Sequence, residues 1–258
     1  MNNLNLKNIT EEFIATFLDA GKIAKEISNS GVKITIKADK TPVTDGDLAV
    51  DEHLRNKIKI LTPDVPIISE ESVNLNIKNT NKNFWLIDPI DGTKDYIKKR
   101  DEYTLNAALI LNFKLAIGIV YAPAKDRLFF SYGKNSAFEM NDGKRKVLNC
   151  KKKYTNEIIA LANSDNTPKE VLDMYKKHKV TKTIRMSSSL KFCVLAAGEA
   201  DIYAAKARAF EWDIAAGHAI LEHAGGSVTT HHGKEFLYGK EDYKNLPIIA
   251  KRSDTLET

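Results

Sequence analysis

Cysteine is almost absent: Cys150 and Cys193 are two residues in a chain of 258. Two thiols do not make a disulfide framework, so a core of ordinary size has to stand without covalent staples. Cys193 lies in the apolar run LKFCVLAA and reads as a small core residue rather than a reactive thiol. Long apolar runs are missing as well. No stretch approaches the ~20 apolar residues of a membrane span. The N-terminal MNNLNLKNITEEF has no basic segment followed by an apolar one, so no secretory signal is visible. A cytoplasmic protein is expected, with peripheral association at the inner membrane face as the alternative. There is no internal repeat and no low-complexity segment. No G-x-x-x-x-G-K-[ST] loop is present, which argues against nucleoside triphosphate chemistry of that type. Neither H-E-x-x-H nor a paired C-x-x-C occurs. His218, His223 and His231-His232 lack metal-ligand spacing and read as helix-face or loop residues.

What is present is the balance of a soluble globular protein: 43% hydrophobic and 28% charged residues. The length suits one large domain or two intimately packed halves. The net charge of +5 is compatible with an anionic ligand, but lysines are spread along the chain and the densest runs, KDYIKKR and CKKKY, are short. Solvated lysine faces are the better reading than a nucleic-acid patch, and no aromatic single-strand platform accompanies them.

Periodicity predicts a helix over 10–30, with Phe13, Ile14, Phe17, Leu18, Ala24 and Ile27 recurring at three and four and Gly31 at its end. VKITIK, 32–37, alternates and predicts a strand with one wet face. A second helix is expected over about 45–60, with Leu48, Leu54 and Ile58 inward. VPIIS is a short buried strand ending at Glu70-Glu71, and 84–87 (FWLI) is another. YTLNAALIL and LAIGIVYAP predict long strands that neighbour each other in one sheet, and RLFFSYG and SAFEM continue the β pattern. A composition shift at about 143–154 marks a join between two halves, about 1–140 and 141–258, of a single domain. Beyond it, strands EIIALAN, KTIRM, ADIYAA and SVTT alternate with helices PKEVLDMYKKH, SSSLKFCVLAAG and EWDIAAGHAILEHAGG. Too many strands follow one another without helices for a single Rossmann-type sheet.

Carboxylates gather where strands end or helices begin: Glu70 and Glu71, Asp88 and Asp91, Asp47 and Asp213. A lone acid at a helix start is usually a cap, which is the default for Asp47 and Asp213. Asp88 and Asp91 are harder to dismiss, because a Trp-Leu-Ile strand delivers them to a Pro89 turn. Carboxylates held together repel unless a cation neutralises them. Oxygen ligands on a rigid turn, with the Ile90 carbonyl added, suit a hard cation such as Mg²⁺. Gly92-Thr93-Lys94 then reads as a phosphate seat.

These residues resemble the lithium-sensitive, magnesium-dependent superfamily of inositol monophosphatases, and within it the CysQ-type 3′(2′),5′-bisphosphate nucleotidases. The likeness runs through TPVTDGDLAVDEHL, LTPDVPIISEES, FWLIDPIDGTKDYIKKRDEYTLNAALI, GIVYAPA, SSSLKFCVLAAGEADIY and WDIAAGHAILEHAGG, in order, over nearly the whole chain. D-P-x-D-G-T with a downstream W-D-x-A-A-G is a highly specific pair; YIKKR and SSLKF point to the CysQ branch. The resemblance implies an α+β layered αβαβα sandwich, with the active site between the halves and two or three Mg²⁺ ions. It implies Glu70 as a metal ligand at the catalytic centre, Asp88 as a bridge between two ions, and the Ile90 carbonyl as a further ligand. Asp91 would hold the second ion and Asp213 the second or a third. Thr93 and Asp47 would orient and activate the attacking water. Gly92, Thr93 and Lys94 would cradle the scissile phosphate, and Ser188 and Lys191 would contact the nucleotide.

The implied reaction is hydrolysis of adenosine 3′,5′-bisphosphate to AMP and phosphate, without a phosphoenzyme, by a monomer or homodimer. Inositol monophosphate or a sugar phosphate is the alternative substrate, and a non-catalytic nucleotide-binding protein the alternative of another class. One departure stands out. Where such nucleotidases usually place an arginine two residues beyond the tyrosine of DIY, this chain has Ala205, with Lys206 and Arg208 close by to replace the charge. Lys206 also stands where inositol monophosphatases commonly carry a glutamate.

Overall fold

The computed structural model describes residues 4–37, 40–75, 77, 79–150, 157–164, 166–207 and 209–252. The chain opens with α1 (Leu6–Ser30), which starts before the predicted 10 because the Asn5 side chain caps it, accepting the Asn8 N–H at 3.1 Å. A short hairpin follows, β1 (Ile34–Ile36) against β2 (Pro42–Thr44). The alternation of VKITIK had predicted one covered face, yet Ile34 and Ile36 are both exposed: the hairpin is separate from the two large sheets, and it is β2, with Val43 and Thr44 buried, that packs inward.

Next, α2 (Asp45–Leu61) begins with a reciprocal cap between Thr44 and Asp47. Its inward stripe is Asp47, Val50, Asp51, Leu54 and Ile58. Leu48, expected inward, is 54% exposed, because one step past Asp47 rotates it about 100° off that stripe.

Seven strands form the first large sheet in the order β3-β4-β5-β6-β7-β8-β9. They are β3 (Ile67–Ser69), β4 (Phe84–Asp91), β5 (Thr104–Leu111), β6 (Lys114–Ala122), β7 (Arg127–Ser131), β8 (Ala137–Asn141) and β9 (Lys144–Val147), with the short helix α3 (Thr93–Ile97) after β4. Only β3 and β4 are parallel; β5 pairs with β6 as the sequence predicted. This sheet takes in β9, so its strands run past residue 140. The second sheet has the order β11-β10-β12-β14-β13, from β10 (Ile159–Ala162), β11 (Lys182–Arg185), β12 (Ile202–Ala205), β13 (Ser227–Thr230) and β14 (Ile248–Lys251). Three helices accompany it: α4 (Lys169–Lys177), α5 (Leu190–Ala196) and α6 (Glu211–His223).

The FWLI run explains the layering. Successive side chains of a strand face opposite ways, so a continuous apolar run is buried on both faces. Trp85 and Ile87 turn to α1 and α2, among Phe13, Phe17, Leu54 and Ile58. Phe84 and Leu86 turn the other way, toward Phe192, Leu195, Ile220 and Leu221 of α5 and α6. The second sheet covers those helices with Leu161, Tyr203, Val228 and Ala250. Its outer face carries Ala160, Ile202 and Ala204 beneath Val171 and Tyr175 of α4. The result is five layers, αβαβα, as the resemblance implied. Close approach of β6 to α6 requires Gly118, where an added Cβ would lie 2.4 Å from the Ala216 carbonyl oxygen. Among the described residues no helix is long and apolar enough to cross a membrane.

Candidate active site

The strand does not stop at Ile87, as 84–87 had predicted; β4 continues through Asp91. The reversal comes at Gly92, in the left-handed region at φ 91°. Within β4 the register slips. Asp88 lies opposite Asn106 and Asp91 opposite Thr104, so three steps on β4 match two on β5. In a regular strand, residues three apart face opposite ways; one extra residue returns Asp91 to the side of Asp88. Pro89 sits inside this bulge, where its missing N–H spoils no ladder bond. The bulge, rather than a stiff turn, sets the spacing of the two acids.

Parallel pairing brings up the third acid. The N–H of Glu70 donates to the Ile87 carbonyl at 3.1 Å, one residue before Asp88. The fourth comes from far along the chain: Asp213, in the first turn of α6, caps that helix by accepting the Phe210 N–H at 2.8 Å. Glu70, Asp88 and Asp213 each offer an oxygen within 4.8 Å of the others. Asp88 is 1% exposed, and its Oδ1 has no hydrogen-bond partner. Burial, then repulsion from Glu70, Asp91 and Asp213, pushes its carboxyl well up. Burial likewise raises Glu70 to about 7 against the pull of Lys37, with repulsion from Glu71, Asp91 and Asp47 in the same direction as burial. A buried carboxylate oxygen with no donor, facing two further carboxylates, is a set of hard ligands that fits a divalent cation.

Asp91 joins this group through the second half of the protein. Its Oδ2 accepts the Ser189 N–H at 2.5 Å. The Ser189 hydroxyl lies 3.0 Å from Thr104 Oγ1 and donates to Asn106 Oδ1 at 2.6 Å. Thr104 and Asn106 are the residues opposite Asp91 and Asp88, so one serine touches the frame of both acids. The serine before it is strained: Ser188 is buried at φ 56°, and its carbonyl accepts the Lys191 ammonium, which also stands 5.0 Å from the Tyr203 ring centre. Ser187 adds two ties, donating its hydroxyl to Asp95 and its N–H to Glu102.

Asp47 is both the expected cap and more. Its Oδ2 takes the Thr44 N–H and hydroxyl, and its Oδ1 faces the Thr93 hydroxyl at 3.4 Å. Thr93 also lies 3.2 Å from the Ile90 carbonyl oxygen. Burial raises the Asp47 carboxyl against the pull of its Thr44 hydrogen bonds. Lys94 is exposed. Lys206, which with Arg208 was a candidate to replace the charge at Ala205, forms a surface pair with Glu170 of α4 at 3.1 Å. Arg208 lies outside the described residues.

Three participants had not been singled out. Lys37 neutralises Glu71 at 2.7 Å and lies 3.8 Å from Glu70; in sequence it was the last residue of an alternating strand. Ser189 is one of three serines that all read as helix-start residues. Asn106 is a polar residue inside the apolar strand YTLNAALIL. The histidines follow the packing reading, with His218 against Tyr238 and His223 against Ser131, and Cys193 is fully buried.

The chain is similar to known proteins along nearly its whole length. The inositol monophosphatase family model matches residues 5–255. The 3′(2′),5′-bisphosphate nucleotidase CysQ of Buchnera aphidicola is 38% identical over 85% of this chain and 83% of that protein. The protein of the same name from Escherichia coli K12 is 36% identical over 80% and 82%. A crystal structure of CysQ from Bacteroides thetaiotaomicron, described as a bacterial member of the inositol monophosphatase family, superposes with a TM-score of 0.78. It is 29% identical and covers 96% of this chain and 97% of its own. The chain therefore belongs to the inositol monophosphatase family.

Proposed function

We propose that this protein is a Mg²⁺-dependent phosphomonoester hydrolase, a 3′(2′),5′-bisphosphate nucleotidase that converts adenosine 3′,5′-bisphosphate to AMP and phosphate. The meeting of Glu70, Asp88 and Asp213 around an unpartnered, buried Asp88 oxygen is the observation that carries the chemistry. The names of the relatives at 36–38% identity support the substrate. Glu70, Asp88, Asp91, Asp213 and the Ile90 carbonyl would hold two or three ions. Bound there, Mg²⁺ supplies neutralisation of phosphoryl charge and a lowered pKa for water.

The chain's own residues do the rest. The Thr93 hydroxyl, aimed at Asp47, takes a proton from the attacking water while passing its own to the Asp47 carboxylate. Burial favours that uptake, since it holds the Asp47 carboxyl above its usual range. Gly92, Thr93 and Lys94 flank the transferred phosphate, and Ser188 and Lys191 meet the nucleotide. Neither cysteine is placed to form a covalent intermediate, both being fully buried. The protein works as a monomer or homodimer in the cytoplasm.

A side-by-side assay with Mg²⁺ of adenosine 3′,5′-bisphosphate, inositol 1-phosphate and fructose 1,6-bisphosphate tests this reading. The bisphosphate nucleotide is expected to be preferred, and Asp91→Asn to remove most of that turnover. Equal or faster release from inositol 1-phosphate would make the protein an inositol phosphatase. Tight nucleotide binding without phosphate release would make it a binding protein.

A further inference from the structure

In the second sheet β10 and β11 are parallel and in register from Ile159 opposite Lys182 to Ala162 opposite Arg185, so both strands end at one level. Outside those carboxyl ends, where parallel sheets commonly take their ligands, lies a cavity of about 280 Å³. It is lined by Ala162, Ser164, Thr167, Leu172, Thr183 and Arg185. Ile184 packs inward among the α5 and α6 core. Strand alternation therefore turns Thr183 and Arg185 to the other face, toward α4.

Arg185 has an unusual standing. Among the described residues every other arginine has an acidic partner: Arg55 with Asp51, Arg100 with Asp95, Arg127 with Glu139 and Glu199, Arg145 with Glu11, Arg252 with Asp201. Arg185 is exposed, lines the cavity and has none. One guanidinium fork with two hydroxyls (Ser164, Thr183) is the donor set for a tetrahedral oxyanion, while the Thr167 hydroxyl donates to the Ser164 carbonyl at 3.1 Å and holds that loop. Among the described residues, Lys206 at the end of β12 forms a surface pair with Glu170, and residue 205 offers only a methyl group. The cavity is also tied to the acid cluster. Four residues of chain, at most about 14 Å, separate Arg185 from Ser189, whose N–H holds Asp91.

We propose that this cavity receives the phosphate that is not hydrolysed. Arg185 with the hydroxyls of Ser164 and Thr183 binds the second phosphate of a nucleoside bisphosphate while the first lies over the acids. The assignment rests on the nucleotidase reading.

The test compares wild-type protein, Arg185→Ala and Arg185→Lys, with Mg²⁺, on adenosine 3′,5′-bisphosphate and on adenosine 3′-monophosphate, which lacks the second phosphate. Loss of one charged hydrogen-bonding group is expected to lower kcat/KM for the bisphosphate about 10- to 100-fold, chiefly through KM. Turnover of the monophosphate is expected to stay within about twofold, with partial recovery of the bisphosphate by Arg185→Lys. An equal fall on both substrates, or no fall on the bisphosphate, overturns the assignment. If wild type hydrolyses no bisphosphate, the nucleotidase reading fails by itself. Calorimetric binding of adenosine 5′-monophosphate, against adenosine, then decides the cavity. Phosphate-dependent binding weakened by Arg185→Ala upholds an anion site, and binding unchanged by the variant, or no tighter than adenosine, overturns it.

Discussion

The acid cluster of the metal-free protein is expected to contribute less stability as pH rises from about 4.5 to about 7, and Mg²⁺ to restore it. Glu70 is a principal source, its carboxyl being raised from 4.5 to about 7. The folded state holds that proton more tightly than the unfolded state. The contribution is therefore whole below pH 4.5 and lost as pH rises through about 7. A displacement of that size corresponds to about 3 kcal/mol. Because 32% of the Glu70 side chain is exposed, solvent screening reduces it to about 2 kcal/mol. Asp88 acts in the same direction from deeper burial. His223 runs the other way: burial lowers it from 6.5 to about 4, so its contribution is lost as pH falls across that interval.

The measured quantity is consequently the difference between Glu70→Gln and wild type, in which the histidine contribution cancels. Urea unfolding in EDTA and in Mg²⁺ supplies it. Without metal the variant is expected to gain on wild type as pH rises, by about 2 kcal/mol near pH 8. Mg²⁺ at about 100 times its Kd is expected to add about 2.7 kcal/mol to wild type and far less to the variant. A metal-free difference that stays flat across this range would refute the view of these acids as a strained cation site.

Two further outcomes follow from packing around the acids. Ser189→Ala strands the buried Asn106 Oδ1 and Thr104 hydroxyl. It is expected to lower stability by about 1–3 kcal/mol and to raise the Mg²⁺ concentration for half-maximal activity several-fold. A normal Mg²⁺ titration in a folded variant would remove Ser189 from the support of Asp91. Gly118→Ala drives a methyl group toward the Ala216 carbonyl and the Ala219 methyl. It is expected to cost about 1–3 kcal/mol, read by thermal unfolding, and to reduce activity by displacing α6 and Asp213; an unchanged melting temperature would contradict the close strand–helix contact.

Much of the layering was legible because it is periodic. FWLI had to be buried on both faces, and 3.6-residue spacing marked α1 and α2. What periodicity missed, it missed for reasons of phase and context. Leu48 is one residue off the stripe that Asp47, Val50, Leu54 and Ile58 define. Ile34 and Ile36 alternate correctly but meet no partner layer. The reach of β4 to Asp91 depends on pairing with β5, which no local pattern in D-P-I-D reports. Lys206 was a candidate charge in the sequence, and only the packing of α4 shows that Glu170 stands beside it.

The sequence by itself determined the acids, their motifs and the alternation of apolar runs, because local spacing is written in residue order. Only the tertiary structure decided that a bulge returns Asp91 to the side of Asp88, and that Glu70 and Asp213 converge on the same point. It also decided that Ser189, of three adjacent serines, is the one that holds Asp91. These are relations between distant segments, set by sheet register and helix packing. Physical chemistry can read them only after the layers have brought the charges within reach of one another.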